Sequence, residues 1–100
     1  HAINGFTKSC AMEVGTQGIT VNALCPGAIE TDMMLEVGPP AAESMGMKYE
    51  DLINWFTQES AIKRLNESED VALVAVLLAS DAGAGITGSM ISIDGGTAPY

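Results

Sequence analysis

The run ITVNALC, Ile19 to Cys25, cut short by Pro26-Gly27, constrains this chain more than any other stretch. Ile, Thr, Val and Leu favour a strand, and proline ends it because it has no ladder donor. A second strand is expected at Ser89 to Ile93, closed by Asp94-Gly95-Gly96. Between the two lie helical patterns at Asp51 to Ser60 and Glu67 to Ala79. Strand, helical crossover, strand is a βαβ unit, which implies a parallel pair. The expected fold class is α/β, two parallel strands with flanking helices. The first strand is apolar on both faces, as buried parallel strands are. It expects a further neighbour, which nothing else in these 100 residues supplies.

A helix is predicted before the first strand, over about 2 to 14. Ile3, Phe6, Cys10 and Val14 fall on one stripe at spacings of three and four. Gly5 inside it would permit close approach of another element, and Gly15 and Gly18 bracket its end. Residues 27 to 47, rich in Gly, Pro and Met, read as irregular. The helix from Glu67 can be capped by Asn66 or Ser68, with Glu67, Glu69 and Asp70 at its positive end. Asp81 to Gly85, DAGAG, faintly suggests a phosphate loop, but it follows a helix and reads as a C-terminal turn.

Composition excludes several partners. Four basic residues stand against thirteen acidic ones, a net charge of −9. Lys8, Lys48, Lys63 and Arg64 cannot assemble the basic patch that nucleic acid or an anionic membrane needs. No apolar run reaches transmembrane length. Cys10 and Cys25 show no metal-ligand spacing and read as two buried, reduced thiols of a cytoplasmic protein, with a disulfide left open. The chain opens on His1, directly in a helical pattern and without a cap, which suggests that it starts in the middle of something.

Two blocks carry a resemblance. GFTKSCAMEVGTQGITVNALCPGAIETDM and AIKRLNESEDVALVAVLLASDAGAGITGSMISIDGG, in that order, resemble the C-terminal part of the short-chain dehydrogenase/reductase family. The resemblance covers nearly the whole chain. It implies the C-terminal portion of one NAD(P)-binding, Rossmann-type domain with a doubly wound parallel sheet, and a flexible substrate flap over about 32 to 60. It implies hydride transfer between NAD or NADP and an alcohol/ketone pair, with tyrosine as acid/base, lysine lowering its pKa and serine polarising the carbonyl. Laid on the Tyr-x-x-x-Lys pattern, HAINGFTKS puts the lysine one place before His1 and the tyrosine four places earlier. Lys8 is not that lysine. No catalytic residue is therefore expected in the chain, which alone is expected to be inactive.

The Pro-Gly segment then acquires a role. Ligands of open α/β sheets sit beyond the carboxyl ends of strands. Pro26 stops the strand, and Gly27 lets backbone approach a flat ring. By resemblance, Ile29 offers its backbone to the nicotinamide carboxamide, and the Thr31 hydroxyl approaches the same end of the cofactor. The alternative is a plain proline-terminated strand with Thr31 as a helix N-cap. Met33, Met34, Met45 and Met47 suit an adaptable apolar wall of the substrate flap, or ordinary gap filling. Trp55 and Phe56 complete an apolar pocket or anchor the flap's helix. The flap and the closing DGGTAPY suggest a substrate of hydroxyacyl, hydroxy-acid or small cyclic alcohol type.

By the same resemblance, the first helix and the last helix and strand imply subunit interfaces, hence a homo-oligomer, dimer or tetramer. Two further readings stand beside the enzyme. The chain is a non-catalytic interaction module associating through those interfaces, or it is a gene remnant.

Overall fold

The structure, a computed structural model, describes residues 1–97. Ala98, Pro99 and Tyr100, the end of the closing DGGTAPY, lie outside the described residues. The element order is α1 (Ala2–Val14), β1 (Ala23–Pro26), α2 (Asp32–Ser44), α3 (Tyr49–Glu59), α4 (Ser68–Ala79) and β2 (Met90–Ile93), with short 3-10 turns at Gly15–Gln17 and Asp81–Gly83. β1 and β2 pair in one two-stranded sheet. Ala23 N donates to Ser89 O at 2.9 Å, and Gly27 N to Ile93 O at 3.2 Å. Both partners advance by four residues in the same direction, so the pair is parallel, as the crossover requires. Residues 23 and 27 turn their N–H groups toward β2. Pro26 falls on the opposite parity, so its missing donor costs this ladder nothing and it stands as the last residue of β1.

Two compact units divide the described residues: His1–Cys25 with Glu69–Ser92, and Pro26–Ser68 with residues 93–97.

In the first unit, β1 begins at Ala23, not at Ile19. The partner segment explains this. Gly88 has φ +68°, a conformation in which the ladder cannot run on. Side chains take over instead. The Asn22 amide donates to Ile86 O at 3.0 Å while its Oδ1 accepts from Ser89 N at 3.1 Å. Val21 N donates to Thr87 Oγ1 at 3.0 Å, and Lys8 Nζ to Gly88 O at 3.0 Å.

The predicted stripe of α1 is not its buried face. Ile3 and Phe6 are each 66% exposed, whereas Thr7 and Ala11 are buried. The Thr7 hydroxyl donates to Ile3 O at 2.7 Å, which removes the cost of burying it. Nothing among the described residues comes within 4 Å of a Cβ built on Gly5, so no close approach occurs there. α4 begins at Ser68, and the Asn66 amide donates to Ile93 O at 2.8 Å. None of the α4 residues is buried, and Leu73 and Val76 stand open. The DAGAG segment forms a 3-10 turn after α4. No helix among the described residues is long and apolar enough to cross a membrane.

In the second unit, the stretch predicted as irregular contains a helix, α2, with Pro39 and Pro40 inside it. Two devices terminate it. Thr31 caps its start, with Oγ1 accepting from Met34 N at 3.4 Å. At its end Met47 N donates to Ala42 O at 3.0 Å and Gly46 N to Glu43 O at 2.9 Å. With Gly46 at φ +74°, that pair of bonds is a Schellman motif. The prolines forfeit donors to the carbonyls of Leu35 and Glu36, but all four residues are exposed, so water is at hand. Packing offsets the remaining cost: Gly38 and Ala42, four apart, are buried on α2, as is Leu52 on α3.

Candidate functional site

The site is built at the carboxyl end of β1, where the chain leaves the sheet. Pro26, Gly27, Ala28, Ile29, Thr31, Met33, Met34 and Val37 line a groove of about 280 Å³. The four residues expected to hold a cofactor, Pro26, Gly27, Ile29 and Thr31, thus share one wall. Each also has a structural duty.

Gly27 has no room for a side chain. A Cβ there would stand 2.8 Å from Asp94 Cβ and 2.9 Å from Asp94 Cα. Asp94 opens the turn that closes β2. Its Oδ1 accepts from Gly96 N at 2.9 Å, and its carbonyl accepts from the Thr97 hydroxyl at 2.8 Å. Gly95 and Gly96 take φ +66° and +84°. This is the turn that the Asp-Gly-Gly signal implies. The turn is held from a second side, since Ile62 N donates to Gly95 O at 3.1 Å. Close approach at Gly27 is therefore made by the chain's own backbone.

Ile29 pairs with Asn66 in an isolated parallel bridge, and its carbonyl accepts from Thr31 N at 2.9 Å. The Ile29 carbonyl is thus engaged within the loop. Thr31 is the N-cap of α2, as the plain structural reading supposes. The cap uses one hydroxyl lone pair and leaves the O–H free to donate. Capping fixes the hydroxyl at the groove wall, so cap and ligand donor are compatible roles for one side chain.

Beside the groove, between α2 and α3, lies a larger apolar cavity of about 550 Å³. Met34, Val37, Gly38, Ala41, Met45, Met47, Leu52, Trp55 and Phe56 line it. Met34 and Val37 line both spaces, so the two are neighbours. Of Met33, Met34, Met45 and Met47, the last three line the cavity and Met33 the groove. Trp55 and Phe56 meet edge to face, with ring centroids 5.2 Å apart.

Sequence reasoning passed over Tyr49 and Glu30. The Tyr49 hydroxyl donates to Glu30 Oε2 at 2.8 Å, joining the first residue of α3 to the groove loop. Desolvation, that hydrogen bond and the carboxylate's charge, in that order, raise the phenol above its ordinary 10.0. The ring rests on Gly38: a Cβ there would collide with Tyr49 Cε1 and stand 3.0 Å from Cδ1. Cys10 and Cys25 are free thiols, half-buried rather than buried.

The groove has apolar walls, a rigid proline and the Thr31 hydroxyl. Nothing in it offers an acid/base group, and the adjoining cavity presents only apolar side chains and glycine.

Comparison with known proteins gives a consistent picture. A sequence model of the family described as enoyl-(acyl carrier protein) reductase matches residues 1–98. D-beta-hydroxybutyrate dehydrogenase of Rhizobium meliloti is 39% identical over 97 residues, covering 96% of this chain and 38% of that protein. Among solved structures, a short chain dehydrogenase family protein from Francisella tularensis superposes with a TM-score of 0.90 at 29% identity, over 99% of this chain and 41% of its own. An actinorhodin polyketide ketoreductase solved with NADPH gives 0.88 at 31% identity, over 100% and 38%. The chain thus spans well under half the length of the relatives it matches.

Proposed function

The chain belongs to the short-chain dehydrogenase/reductase family, and from that premise we propose that it forms the nicotinamide end and the substrate wall of an NAD(P)-dependent oxidoreductase. The reaction interconverts an alcohol and a ketone of hydroxyacyl or hydroxy-acid type. The bound coenzyme supplies the hydride acceptor or donor. One observation carries the reading: the groove holding Pro26, Gly27, Ile29 and Thr31 shares Met34 and Val37 with a cavity of substrate size. Pockets that hold small molecules span roughly 300–1,000 Å³, and about 550 Å³ falls inside that range.

The residues present have defined tasks. Pro26 and Ala28 give an apolar wall against which a ring lies flat. The Thr31 hydroxyl donates to the amide end of that ring. Met33, Met34, Met45 and Met47 close over the reacting carbon and exclude water, as a flap over 32 to 60 would. The acid/base group is assigned to residues outside this chain. NAD and NADP both remain candidates, because no residue here faces the adenosine ribose in this reading. A homo-oligomer, dimer or tetramer, is proposed as well, on the strength of the open apolar side chains of α1 and α4, Ile3, Phe6, Leu73 and Val76 among them. A cytoplasmic setting is proposed from the two free thiols.

The test is titration of the protein, as expressed from its own gene, with NADH and NADPH. Saturable binding of one of them is expected, weakened by Thr31→Ala and restored by Thr31→Ser. Saturable binding that Thr31→Ala leaves unchanged would remove Thr31 from the site. No binding of either coenzyme would overturn the reading in favour of a non-catalytic interaction module.

A further inference from the structure

The start of α3 is fastened to the groove loop beside the one hydroxyl in the groove lining. We infer that Tyr49 and Glu30 are positioning residues: their hydrogen bond latches the first turn of α3 to the groove loop and so fixes where the Thr31 hydroxyl stands. The donor in the groove is thereby set by the helix that walls the neighbouring cavity. The latch is read from geometry alone, and its consequence for a coenzyme rests on the oxidoreductase reading above.

Three observations carry it. First, Tyr49 holds two segments at once. Its hydroxyl donates to Glu30 Oε2 at 2.8 Å, and its ring fills the space over Gly38, seven residues along α2 from Thr31. Glu30 adjoins Thr31 in the chain, so freeing its carboxylate loosens the residue that caps α2. That cap is long, with Oγ1 3.4 Å from Met34 N against about 2.7–3.2 Å for a typical N–H···O bond, so a second restraint on Thr31 counts.

Second, the start of α3 has little else to hold it. Its N-cap, Lys48, makes no side-chain cap bond, and Leu52 is its one buried residue among the described residues. Third, the fastening can release. Glu30 is exposed, so water can replace the phenol, and Gly46 at φ +74° turns the chain just ahead of Tyr49.

Amide hydrogen exchange on the protein, as expressed from its own gene, reads the latch without coenzyme. Met34 is the third residue of α2, and its N–H has no partner within the helix, so its protection reports the Thr31 cap. Tyr49→Phe keeps the ring over Gly38 and deletes the donor. It should speed exchange at Met34 about threefold to tenfold, the ratio that one modest hydrogen bond gives. Ser89 N, held by Asn22, should not change. Glu30→Ala should match Tyr49→Phe, and the double variant should be no faster than either. Glu30→Gln keeps an acceptor and should stay near the parent. Equal acceleration at Met34 and Ser89 is plain destabilisation and overturns the latch. An unchanged Met34 overturns it too, as does a Glu30→Gln that matches Glu30→Ala, which assigns the effect to charge at the helix start.

Titration with NADH then reads the consequence. Tyr49→Phe should weaken binding about threefold, and should have no effect in a Thr31→Ala background. Binding that Tyr49→Phe leaves unchanged, or weakening that persists without Thr31, overturns the positioning role and leaves the oxidoreductase standing. Failure of both NADH and NADPH to bind overturns the oxidoreductase reading, and exchange at Met34 still decides the latch.

Discussion

Replacing Gly27 by alanine separates two reasons for a glycine at the strand end. One is that a ligand ring needs close access to the backbone. The other is that the chain itself leaves no space. The structure favours the second strongly enough to put a magnitude on it. The new Cβ would lie 2.8 Å from Asp94 Cβ, where carbon contacts normally lie at about 3.5–4.0 Å. Relief needs a separation of about 0.7 Å or more. The Gly27 N to Ile93 O bond, already 3.2 Å, would then pass out of hydrogen-bonding range. The far side cannot yield freely, because Ile93 O also accepts from Asn66 and Gly95 O from Ile62. Overpacking costs about 1–3 kcal/mol and a lost hydrogen bond about 1 kcal/mol. Lower entropy of the unfolded alanine chain returns about 0.4–1 kcal/mol. The net expectation is a destabilisation of about 1–3.5 kcal/mol with no coenzyme present. Urea unfolding measures it, as a fall in midpoint at unchanged slope. If coenzyme-free Gly27→Ala unfolds within about 0.5 kcal/mol of the parent while coenzyme affinity falls, the steric reasoning is wrong. The glycine would then serve the ligand.

Other outcomes follow from the same geometry. Gly5→Ala, in open space within α1, should stabilise the protein by about 0.5–1 kcal/mol in the same urea assay, the opposite sign to Gly27→Ala. Thr31→Ala removes the cap of α2 and should cost about 1 kcal/mol, with Thr31→Ser close to the parent. A cost equal for both variants would show that the methyl group matters and the cap does not. The raised Tyr49 phenol stabilises the fold fully below the free value of 10.0, and that contribution is lost as pH rises through the raised value. Thermal unfolding as a function of pH should therefore show a fall above about pH 10 that Tyr49→Phe lacks, and parallel curves would remove the Glu30 bond from the account.

The local elements were legible where one signal dominated. α1 and α3 announce themselves by periodicity, and β2 by β-branched residues ahead of Asp94-Gly95-Gly96. α2 did not, because Gly38-Pro39-Pro40 reads as a breaker. Its true ends were visible nonetheless, in Thr31 and Gly46, fifteen residues apart. The start of β1 was misplaced because Asn22 satisfies its partner segment through a side chain, which no propensity scale registers. The resemblance to the family, by contrast, needed nothing but the order of two blocks.

The sequence alone determined the α/β class, the parallel crossover, the acidic surface and the family, since these depend on residue type and order. It also singled out Pro26, Gly27, Ile29 and Thr31, which line one groove in the structure. Which residues share a wall was decided only in three dimensions. Met33 and Met34 are adjacent in the chain, yet Met33 lines the groove alone and Met34 lines both spaces. Tyr49 and Glu30 are nineteen residues apart and joined by a hydrogen bond. The duty of Gly27 depends on Asp94, far along the chain. Such facts turn on distances of tenths of an ångström between remote segments, and local sequence carries no information at that scale.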